Sequence, residues 1–429
     1  MKEFTLKNNI KSIYKQNKNT PRMAFTLNIA ITEPEKYAGT YSLMNRLLLQ
    51  GTKKYSNTEL AKVLDENAIE LYTDMKQDYL RFRFVCLNED FELAIKILDD
   101  IINNTTFIEF DKEKEKMRGE IVAELDSART KVSDAFIKTI YENHYYGNTY
   151  TKMLETLDKI TKQDVTDAYY NILKLGKKIS STVGSLEFSE IEPLLEQTIG
   201  ELENNTVETS KIAKPELNSA NRVDVIKEDA NQAQIYQGWL VPNFESEDYP
   251  TLAVINTILG ASGLSSRLFL ELRDKKGLAY TVRTSCESHL KSAIFSIYIA
   301  TEPRNIDVSL AGFKEEIDKI KAVLVSDEEL TNAKNNIIGK QQFITETNFQ
   351  QSTALAYYGI MDLGFDYQSK IIEKSGIKIN NGIELSAKTD TGRMHILGYN
   401  IDITNNSLNQ KMSILRDNSI NSVLSIMEQ

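Results

Sequence analysis

The chain has 429 residues, which is enough for two or three globular domains. Hydrophobic residues make up 41% and charged residues 26%, values that fit a soluble globular protein and neither a disordered nor a membrane-embedded chain. Lysine and arginine number 51 against 61 aspartates and glutamates, and the resulting net charge of -10 argues against a nucleic-acid partner, because phosphate backbones are bound by basic proteins.

Two further features bear on location. The first twenty residues contain no apolar run typical of a signal peptide, and no stretch approaches the ~20 apolar residues of a membrane span. The two cysteines, Cys86 and Cys286, lie in strand-like stretches and are too few for a disulfide framework or a zinc cluster. We therefore expect buried free thiols, a reducing compartment, a cytoplasmic location and no membrane association.

The N-terminal half begins with an apolar strand, an acidic turn and a helix that ends in glycine, in the segment AFTLNIAITEPEKYAGTYSLMNRLLLQG. Ser56 and Glu59 fit a capping box at the start of a second helix. A strand follows in which alternate residues share one face: Leu80, Phe82, Phe84 and Cys86. Helical periodicity then extends from about Asp111 to His144.

A polar segment without aromatic residues, containing Pro215, divides the chain nearly in half. Such a composition is typical of an interdomain linker. We predict an N-terminal domain at residues 1–205, a linker at 206–230 and a C-terminal domain at 231–429.

The second half repeats this order of elements in IYQGWLVPNFESEDYPTLAVINTILGASGLSSRLFLELRDKKGLAY. A constant shift, followed by one deletion, aligns four pairs of identical residues: Gly51 with Gly260, Ser56 with Ser265, Asp65 with Asp274, and Tyr72 with Tyr280. A duplication explains these matches most simply, and coincidence is the alternative.

Alternation and helical patterns also recur further along the second half. Residues Ala293, Phe295, Ile297 and Ile299 share one strand face. Ser326 and Glu329 fit another capping box, and helical periodicity extends from Glu328 to Leu363. Runs of strands beside runs of helices predict an α+β fold.

Common catalytic motifs are missing from the sequence. It contains no dinucleotide-binding fingerprint, no phosphate-binding loop and no G-x-S-x-G nucleophile elbow. Its three histidines, His144, His289 and His395, are scattered, and no two have the spacing of metal ligands on one helix. We interpret them as surface or packing residues and expect no histidine-built metal site.

The stretch QAQIYQGW followed by ILGASGLSSRLFLELRDKKGLAY is similar to insulinase/pitrilysin-type zinc peptidases (inverzincins). The opening hairpin from Phe4 to Tyr14, AGTYSLMNRLLLQGTKKYS and MRGEIVAEL carry the same resemblance, which extends to about residue 365 and favours the half-length, processing-peptidase-like form. It implies two homologous domains in a clam-shell, each with about six antiparallel strands and helices mainly on one face.

Active members of this family carry His-x-x-Glu-His on the first helix and a further glutamate ligand about 75 residues later. Here the motif positions hold Ser42, Asn45 and Arg46, and no histidine precedes His144. A hydroxyl, an amide and a guanidinium cannot replace two imidazoles and a general base. We expect this chain to bind no catalytic zinc and no other cofactor.

Glu124, in EIVAEL, matches the family's distal glutamate ligand by resemblance. One interpretation is an ordinary carboxylate on a helix surface. The other is that Arg46 occupies the position of the missing zinc ion and pairs with Glu124.

Arg273 and Tyr280 match the family's arginine and tyrosine, which hold the scissile carbonyl or the oxyanion of the transition state. The alternative is a structural arginine and a core tyrosine. Gly277 predicts a helix C-cap that leads into the strand of Tyr280. Ser265, Ser266 and Arg267 belong to the same signature, and we expect a structural role for them, with a serine as helix N-cap.

A lost zinc motif beside a retained Arg/Tyr pair implies, by resemblance, the non-metal subunit of a heterodimeric peptidase. A paralogue with an intact motif would supply the zinc, and peptides would be the substrates. The chain alone would then be inactive. A scaffold or peptide-binding protein derived from a peptidase is the alternative, and in that case Arg273 and Tyr280 would be dispensable.

Overall fold

The computed structural model describes residues 1–205, 210–215, 231–367 and, for the backbone only, 227–228 and 392–399. The chain divides into two compact units, whose segments alternate along the sequence. Unit 1 comprises Met1–Ala123, Tyr150–Ala213 and Gln341–Gln368, and unit 2 comprises Glu124–Thr149, Lys214–Lys340 and Ser369–Gln429.

Unit 1 contains a six-stranded sheet. Its strands are β1 (Lys2–Thr5), β2 (Lys11–Gln16), β3 (Arg22–Ala30), β4 (Glu70–Met75), β5 (Tyr79–Leu87) and β6 (Lys178–Gly184). The strand order is β1-β2-β6-β3-β5-β4. The β2–β6 pair is parallel, and the other pairs are antiparallel. The expectation of a wholly antiparallel sheet was therefore wrong at this one pair, where the connection between the strands is long enough for a crossover.

The helices that begin in the N-terminal half are α1 (Thr40–Leu47), α2 (Asn57–Glu66), α3 (Phe91–Asn104), α4 (Phe110–Leu125), α5 (Ala128–Ile140), α6 (Tyr150–Thr156), α7 (Lys162–Leu175) and α8 (Phe188–Gln197). The predicted capping box of α2 is confirmed, because the Ser56 hydroxyl accepts from Glu59 N and the Glu59 carboxylate accepts from Ser56 N. The predicted strand face is also confirmed: Leu80, Phe82, Phe84 and Cys86 are all buried. Phe84 packs against Phe91 of α3, with ring centroids 5.8 Å apart.

Unit 2 repeats this topology. Its strands are β7 (Lys227–Glu228), β8 (Ala233–Val241), β9 (Ala279–Ser288), β10 (Ala293–Thr301) and β11 (Gly392–Tyr399), in the order β7-β11-β8-β10-β9. This matches β2-β6-β3-β5-β4 strand for strand, and in both sheets the first of these pairs is parallel. The correspondence supports an internal duplication.

Among the described residues of the second half, the α-helices are α9 (Tyr249–Asn256), α10 (Ile306–Ala322), α11 (Asp327–Ile344) and α12 (Asn348–Ile360). Two π-helical segments, Thr257–Ala261 and Phe269–Lys275, lie between α9 and β9. The predicted face of β10 is confirmed, because Ala293, Phe295, Ile297 and Ile299 are buried. At Ser326 the hydroxyl accepts from Glu329 N, while the Glu329 carboxylate accepts two hydrogen bonds from Arg267 instead of closing the box.

Each long helical pattern is broken into two helices. Ser127 caps α5 by accepting from Thr130 N, and Thr347 forms a capping box with Gln350 at the start of α12. A new cap lets the chain change direction, because it satisfies backbone donors that a continuous helix would use internally.

Each of these two capped helices packs on the unit that is formed mainly by the other half of the chain. Helix α12 packs on β3 and β6 of unit 1, where the Ser352 hydroxyl lies 2.7 Å from the Thr26 hydroxyl. Helix α5 packs on β8 and β11 of unit 2. The predicted linear division at 206–230 differs from this partition, since residues 124–149 and 341–368 each group with the other unit.

Gly238 of β8 is required by the packing of α5. A β-carbon at this position would lie 2.5 Å from Cζ of Phe136 and 2.7 Å from the Phe295 carbonyl oxygen. Without one, the Phe136 ring stacks on Tyr236 at 5.1 Å between centroids. The glycine thus lets the helix approach the sheet closely.

Both cysteines are free thiols, as predicted, with Cys86 buried and Cys286 half-buried. Burial raises the pKa of each thiol to about 12, so neither is a thiolate at neutral pH. No helix of the described residues is both long enough and apolar enough to span a bilayer.

Candidate functional site

The first candidate site lies on α1, where the resemblance locates the zinc motif. The helix begins after Gly39, whose φ of 93° is in the left-handed region that favours glycine. The Glu35 carboxylate accepts hydrogen bonds from the backbone N–H groups of Gly39, at 3.2 Å, and Tyr41, at 2.8 Å. An anion at this end also complements the helix dipole, so the start of α1 is well fixed.

Arg46 pairs with two glutamates of α4. Its Nη1 and Nη2 donate to the two carboxylate oxygens of Glu120 at 2.7 and 3.0 Å, and its Nε donates to Glu113 at 3.2 Å. The predicted pairing with Glu124 was wrong. Glu124 lies one turn further along α4 and is exposed, as the alternative interpretation of a helix-surface carboxylate held.

Burial and charge both strengthen the pairing of Arg46 with Glu113 and Glu120. Glu113 is only 4% exposed, and its carboxylate is compensated mainly by Arg46, at 3.2 Å, with Lys116 further away at 3.9 Å. The hydrogen bonds with Glu120 raise the pKa of the Arg46 guanidinium, and the same bonds lower the pKa of Glu120. Arg46 and Glu120 therefore both remain charged at neutral pH.

The other two motif positions offer no metal ligand of the family type. Ser42 is half-buried one turn before Arg46. Asn45 Nδ2 donates weakly to Thr73 O at 3.4 Å, while its buried Oδ1 has no hydrogen-bond partner among the described residues.

Zinc does not fit these residues. The carboxylates that could contribute to a cation site, Glu113 and Glu120, are occupied by the guanidinium of Arg46, which supplies the positive charge itself. Within the described part of the chain, no group of three or more histidine, cysteine, aspartate or glutamate side chains could hold a metal ion.

Replacing Arg46 by alanine should leave the buried Glu113 with only the Lys116 ammonium, at 3.9 Å, to compensate its charge. We expect a loss of roughly 2–3 kcal/mol in the free energy of unfolding at neutral pH. Arg118→Ala, which removes an exposed pair with Glu115 and Asp158, should cost less than about 1 kcal/mol. Denaturant titration measures both, and a loss at Arg46 no larger than that at Arg118 would contradict the argument.

The same variant should show a characteristic pH dependence. The Arg46 hydrogen bond lowers the pKa of Glu120 from 4.5 in the folded state, so its stabilisation is present above that value and is lost as pH falls through the lower folded pKa. The difference between wild type and Arg46→Ala should therefore narrow below about pH 4.5. Adding Glu113→Gln to Arg46→Ala should restore part of the stability.

The second candidate site lies in unit 2, between the second π-helical segment and the start of β9. The structure brings the two predicted residues together: Cζ of Arg273 lies 5.7 Å from the ring centroid of Tyr280 and 4.4 Å from that of Phe269. Tyr280 is 84% exposed, which excludes the alternative of a core tyrosine. The guanidinium, held against two aromatic rings, and the exposed phenol are both hydrogen-bond donors.

The predicted C-cap at Gly277 is confirmed. Gly277 has a φ of 60°, its N–H donates to Arg273 O at 3.0 Å, and Leu278 N donates to Leu272 O at 2.8 Å. This left-handed turn reverses the chain directly into β9, and so the end of the helix and the first residues of the strand lie side by side. π-Helical turns are rare and are often found at functional sites.

The neighbouring serines and arginine have structural contacts. Ser266 occupies the N-cap position, since its carbonyl accepts from Leu270 N, but its hydroxyl donates to Gly263 O instead of capping the helix. The Ser265 hydroxyl is within 3.4 Å of Ser262 Oγ. Arg267 forms a two-bond pair with Glu329, with both distances 2.6 Å.

Two of the three histidines are packing residues, as predicted. The rings of His144 and His289 lie 4.7 and 4.8 Å from the ring of Tyr146. His144 Nδ1 accepts from Tyr146 N at 3.1 Å. The side chain of His395 lies outside the described residues.

Sequence models of one peptidase family match most of the chain. The model of the insulinase family (peptidase family M16) matches residues 12–156, and the model described as the peptidase M16 inactive domain matches residues 159–337. The chain belongs to the insulinase, or M16, peptidase family. The resemblance predicted from the sequence is thereby confirmed.

Relatives in the M16 family include several uncharacterized zinc proteases. One from Bacillus subtilis is 25% identical over 358 residues, covering 82% of this chain and 86% of the relative. One from Rickettsia felis is 25% identical over 378 residues, covering 83% and 88%. Such coverage on both sides agrees with the half-length form.

Solved structures show the same fold. A peptidase M16 inactive domain from Pseudomonas fluorescens superposes with a TM-score of 0.84 at 18% identity, covering 93% of this chain and 98% of that chain. A protease from Helicobacter pylori gives a TM-score of 0.81 at 18% identity, covering 92% and 98%. At this level of identity the similarity establishes the α+β fold and not the activity.

Sequence reasoning missed Glu113 and Glu120 as partners of Arg46. A usable signal was present, because Glu120 lies 74 residues after Arg46, close to the family spacing of about 75, whereas Glu124 lies further away. Helical periodicity gave a second signal. Glu113 and Glu120 are seven residues apart and therefore share one face of α4.

Proposed function

We propose that this M16 chain is the zinc-free subunit of a heterodimeric metallopeptidase. A paralogous subunit carries the zinc, and this chain supplies Arg273 and Tyr280 to the partner's site. The supporting observation is their arrangement: a guanidinium and an 84% exposed phenol side by side, in a chain whose own motif holds Arg46 in place of histidine.

The proposed chemistry is electrostatic. When a peptide carbonyl is attacked, negative charge develops on its oxygen, and fixed donors stabilise that charge without reorganising. Arg273 contributes a charged donor and Tyr280 a neutral one. The exposed Tyr280 ring can reach a bound peptide directly, while the stacking on Phe269 limits the motion of Arg273.

The rest of the proposal concerns the assembly. The zinc belongs to the partner, the substrates are peptides, and the two halves of each subunit form a clam-shell around them. We propose a cytoplasmic location for the complex, because two free cysteines fit a reducing compartment.

Gentle purification of the tagged protein from its own cells, followed by mass spectrometry, tests this assembly. We expect a paralogue of similar size with an intact His-x-x-Glu-His motif, recovered in equal amount. The recovered pair should cleave unstructured peptides, a zinc chelator should stop the cleavage, and this chain alone should be inactive with or without added zinc.

Two outcomes would contradict the proposal. Recovery of the protein alone, or with unrelated partners, would favour a scaffold or peptide-binding role. Cleavage by the isolated chain, dependent on zinc, would contradict the assignment of the metal to a partner.

A further inference from the structure

Unit 2 contains a cavity that lies between α5 and the face of the sheet opposite its main core. Its volume is about 300 Å³, at the lower end of the range of small-ligand sites. It is lined by Ser133, Phe136, Ile137, Tyr236, Arg283, Thr284, Ser285, Glu287, Ile294, Ser296 and Tyr298. Neither Arg273 nor Tyr280 is among these residues.

One end of the cavity is cationic. Arg283 of β9 and Arg129 of α5 both lie 5.5 Å from the ring centroid of Tyr298, measured from Cζ. Within the described residues, neither guanidinium forms an ion pair with a carboxylate. Two positive charges therefore approach one aromatic ring without a matching anion.

The acidic residue of the cavity does not neutralise them. Glu287 lies four residues beyond Arg283 on the same strand face, and its carboxylate accepts from the Ser285 hydroxyl at 3.0 Å. Burial raises the pKa of Tyr236 and Tyr298, so both phenols are neutral at physiological pH. The end of the cavity at Tyr298 therefore carries two arginines, with Glu287 four residues away along β9, and favours an anion.

Aromatic and aliphatic side chains line the floor of the cavity. Phe136 stacks on Tyr236, and Tyr236 contacts Tyr298 at 5.0 Å between ring centroids. The Tyr298 hydroxyl donates to Gln234 at 2.6 Å, which fixes its ring. Ile137 and Ile294 extend this surface, with Ile294 opposite Glu287 and four residues along β10 from Tyr298. A ligand that fits must carry an anionic group next to an apolar one.

We propose that this cavity binds the C-terminal carboxylate of a peptide whose last side chain is apolar. The carboxylate pairs with Arg283 and Arg129, and the side chain lies against Phe136 and Ile294. Arginine suits this role because its planar fork binds a carboxylate through two hydrogen bonds. As a statement about the substrate, the inference rests on the proposed function, whereas binding to this chain does not require the partner.

Isothermal titration calorimetry with the full chain alone tests the site. The probes are an acetylated tetrapeptide ending in phenylalanine, as free acid and as amide, and 3-phenylpropionate as a small acid of the same chemistry. We expect the free acid to bind at least about ten-fold more tightly than the amide, because charge-assisted hydrogen bonds are lost on amidation. The small acid should bind more weakly than the peptide acid.

Arg283→Gln should abolish the preference for the acid, and Arg304→Gln, at an exposed arginine of the same unit, should keep it. Arg283 is exposed, so its replacement should leave the melting temperature within about 2 °C. Equal binding of acid and amide, or no saturable binding of either, would overturn the site. Binding of 3-phenylpropionate as tight as that of the peptide acid would overturn its assignment to peptides.

These results are separate from the test of the proposed function. If the cavity did not bind the peptide acid, the heterodimer could still cleave peptides. Conversely, failure to find a zinc-bearing partner would leave the binding data unchanged.

Discussion

The double variant Arg273→Lys with Tyr280→Phe should reduce kcat/KM of the reconstituted heterodimer by about 10²-fold to 10³-fold, the usual effect of removing a donor to an oxyanion. Lysine keeps the charge but loses the planar fork, and phenylalanine keeps the ring but loses the hydroxyl. The measurement is cleavage of a fluorogenic peptide by the variant mixed with its zinc-bearing partner.

Structural and functional effects can be separated at this site. Tyr280 is 84% exposed, so its replacement by phenylalanine should leave the melting temperature within about 2 °C. The matched control is Arg304→Lys with Tyr170→Phe, which makes the same changes at two exposed residues that do not belong to the pair. Full activity of the Arg273/Tyr280 variant in a stable heterodimer would favour the scaffold alternative.

Cutting the chain in its linker should abolish independent folding of both halves. Fragment 1–215 lacks α12, which covers Ile13 and Val183 of unit 1 with Leu355. Fragment 216–429 lacks α5, which supplies Phe136 and Ile140 to a cluster with Leu240 and Ile294. Several large buried side chains at about 1.5–3 kcal/mol each approach the whole stability of a domain.

Co-expression should restore the fold, because the two fragments 1–215 and 216–429 together still contain both helices. We expect a 1:1 fragment complex with cooperative thermal unfolding, while each fragment alone should bind a hydrophobic dye and unfold without a sharp transition. Circular dichroism and size-exclusion chromatography make the comparison. Cooperative unfolding of either fragment alone, near the transition of the intact chain, would contradict the importance of the exchanged helices.

Much of the local structure was predictable. The alternation of hydrophobic residues from Leu80 to Cys86 predicted a strand with the correct buried face. Gly277 predicted a helix end that leads into the next strand. These predictions succeed because periodicity and capping depend on residues within a few positions of each other. The break between α11 and α12 at Thr347 could also have been predicted, since Thr347 and Gln350 carry the capping-box pattern.

The partners of Arg46 were harder to predict. Glu113, Glu120 and Glu124 all lie on α4, and the sequence alone does not set how far along α4 the α1 helix packs. A shift of one helical turn separates the correct Glu120 from the predicted Glu124. The cavity beside Arg283 and Arg129 was missed for the same reason, because its residues come from one helix and three strands.

The sequence by itself determined that the N-terminal half lacks the zinc ligands of its family, that the two halves repeat one order of elements, and that Arg273 and Tyr280 follow a glycine-capped turn. Only the tertiary structure decided that α5 and α12 exchange between the units, that Arg46 pairs with Glu113 and Glu120, and that Arg283 and Arg129 meet at Tyr298 beside a cavity. The physical reason is range: local propensities act between neighbours in the chain, whereas packing selects partners among residues that are far apart in sequence.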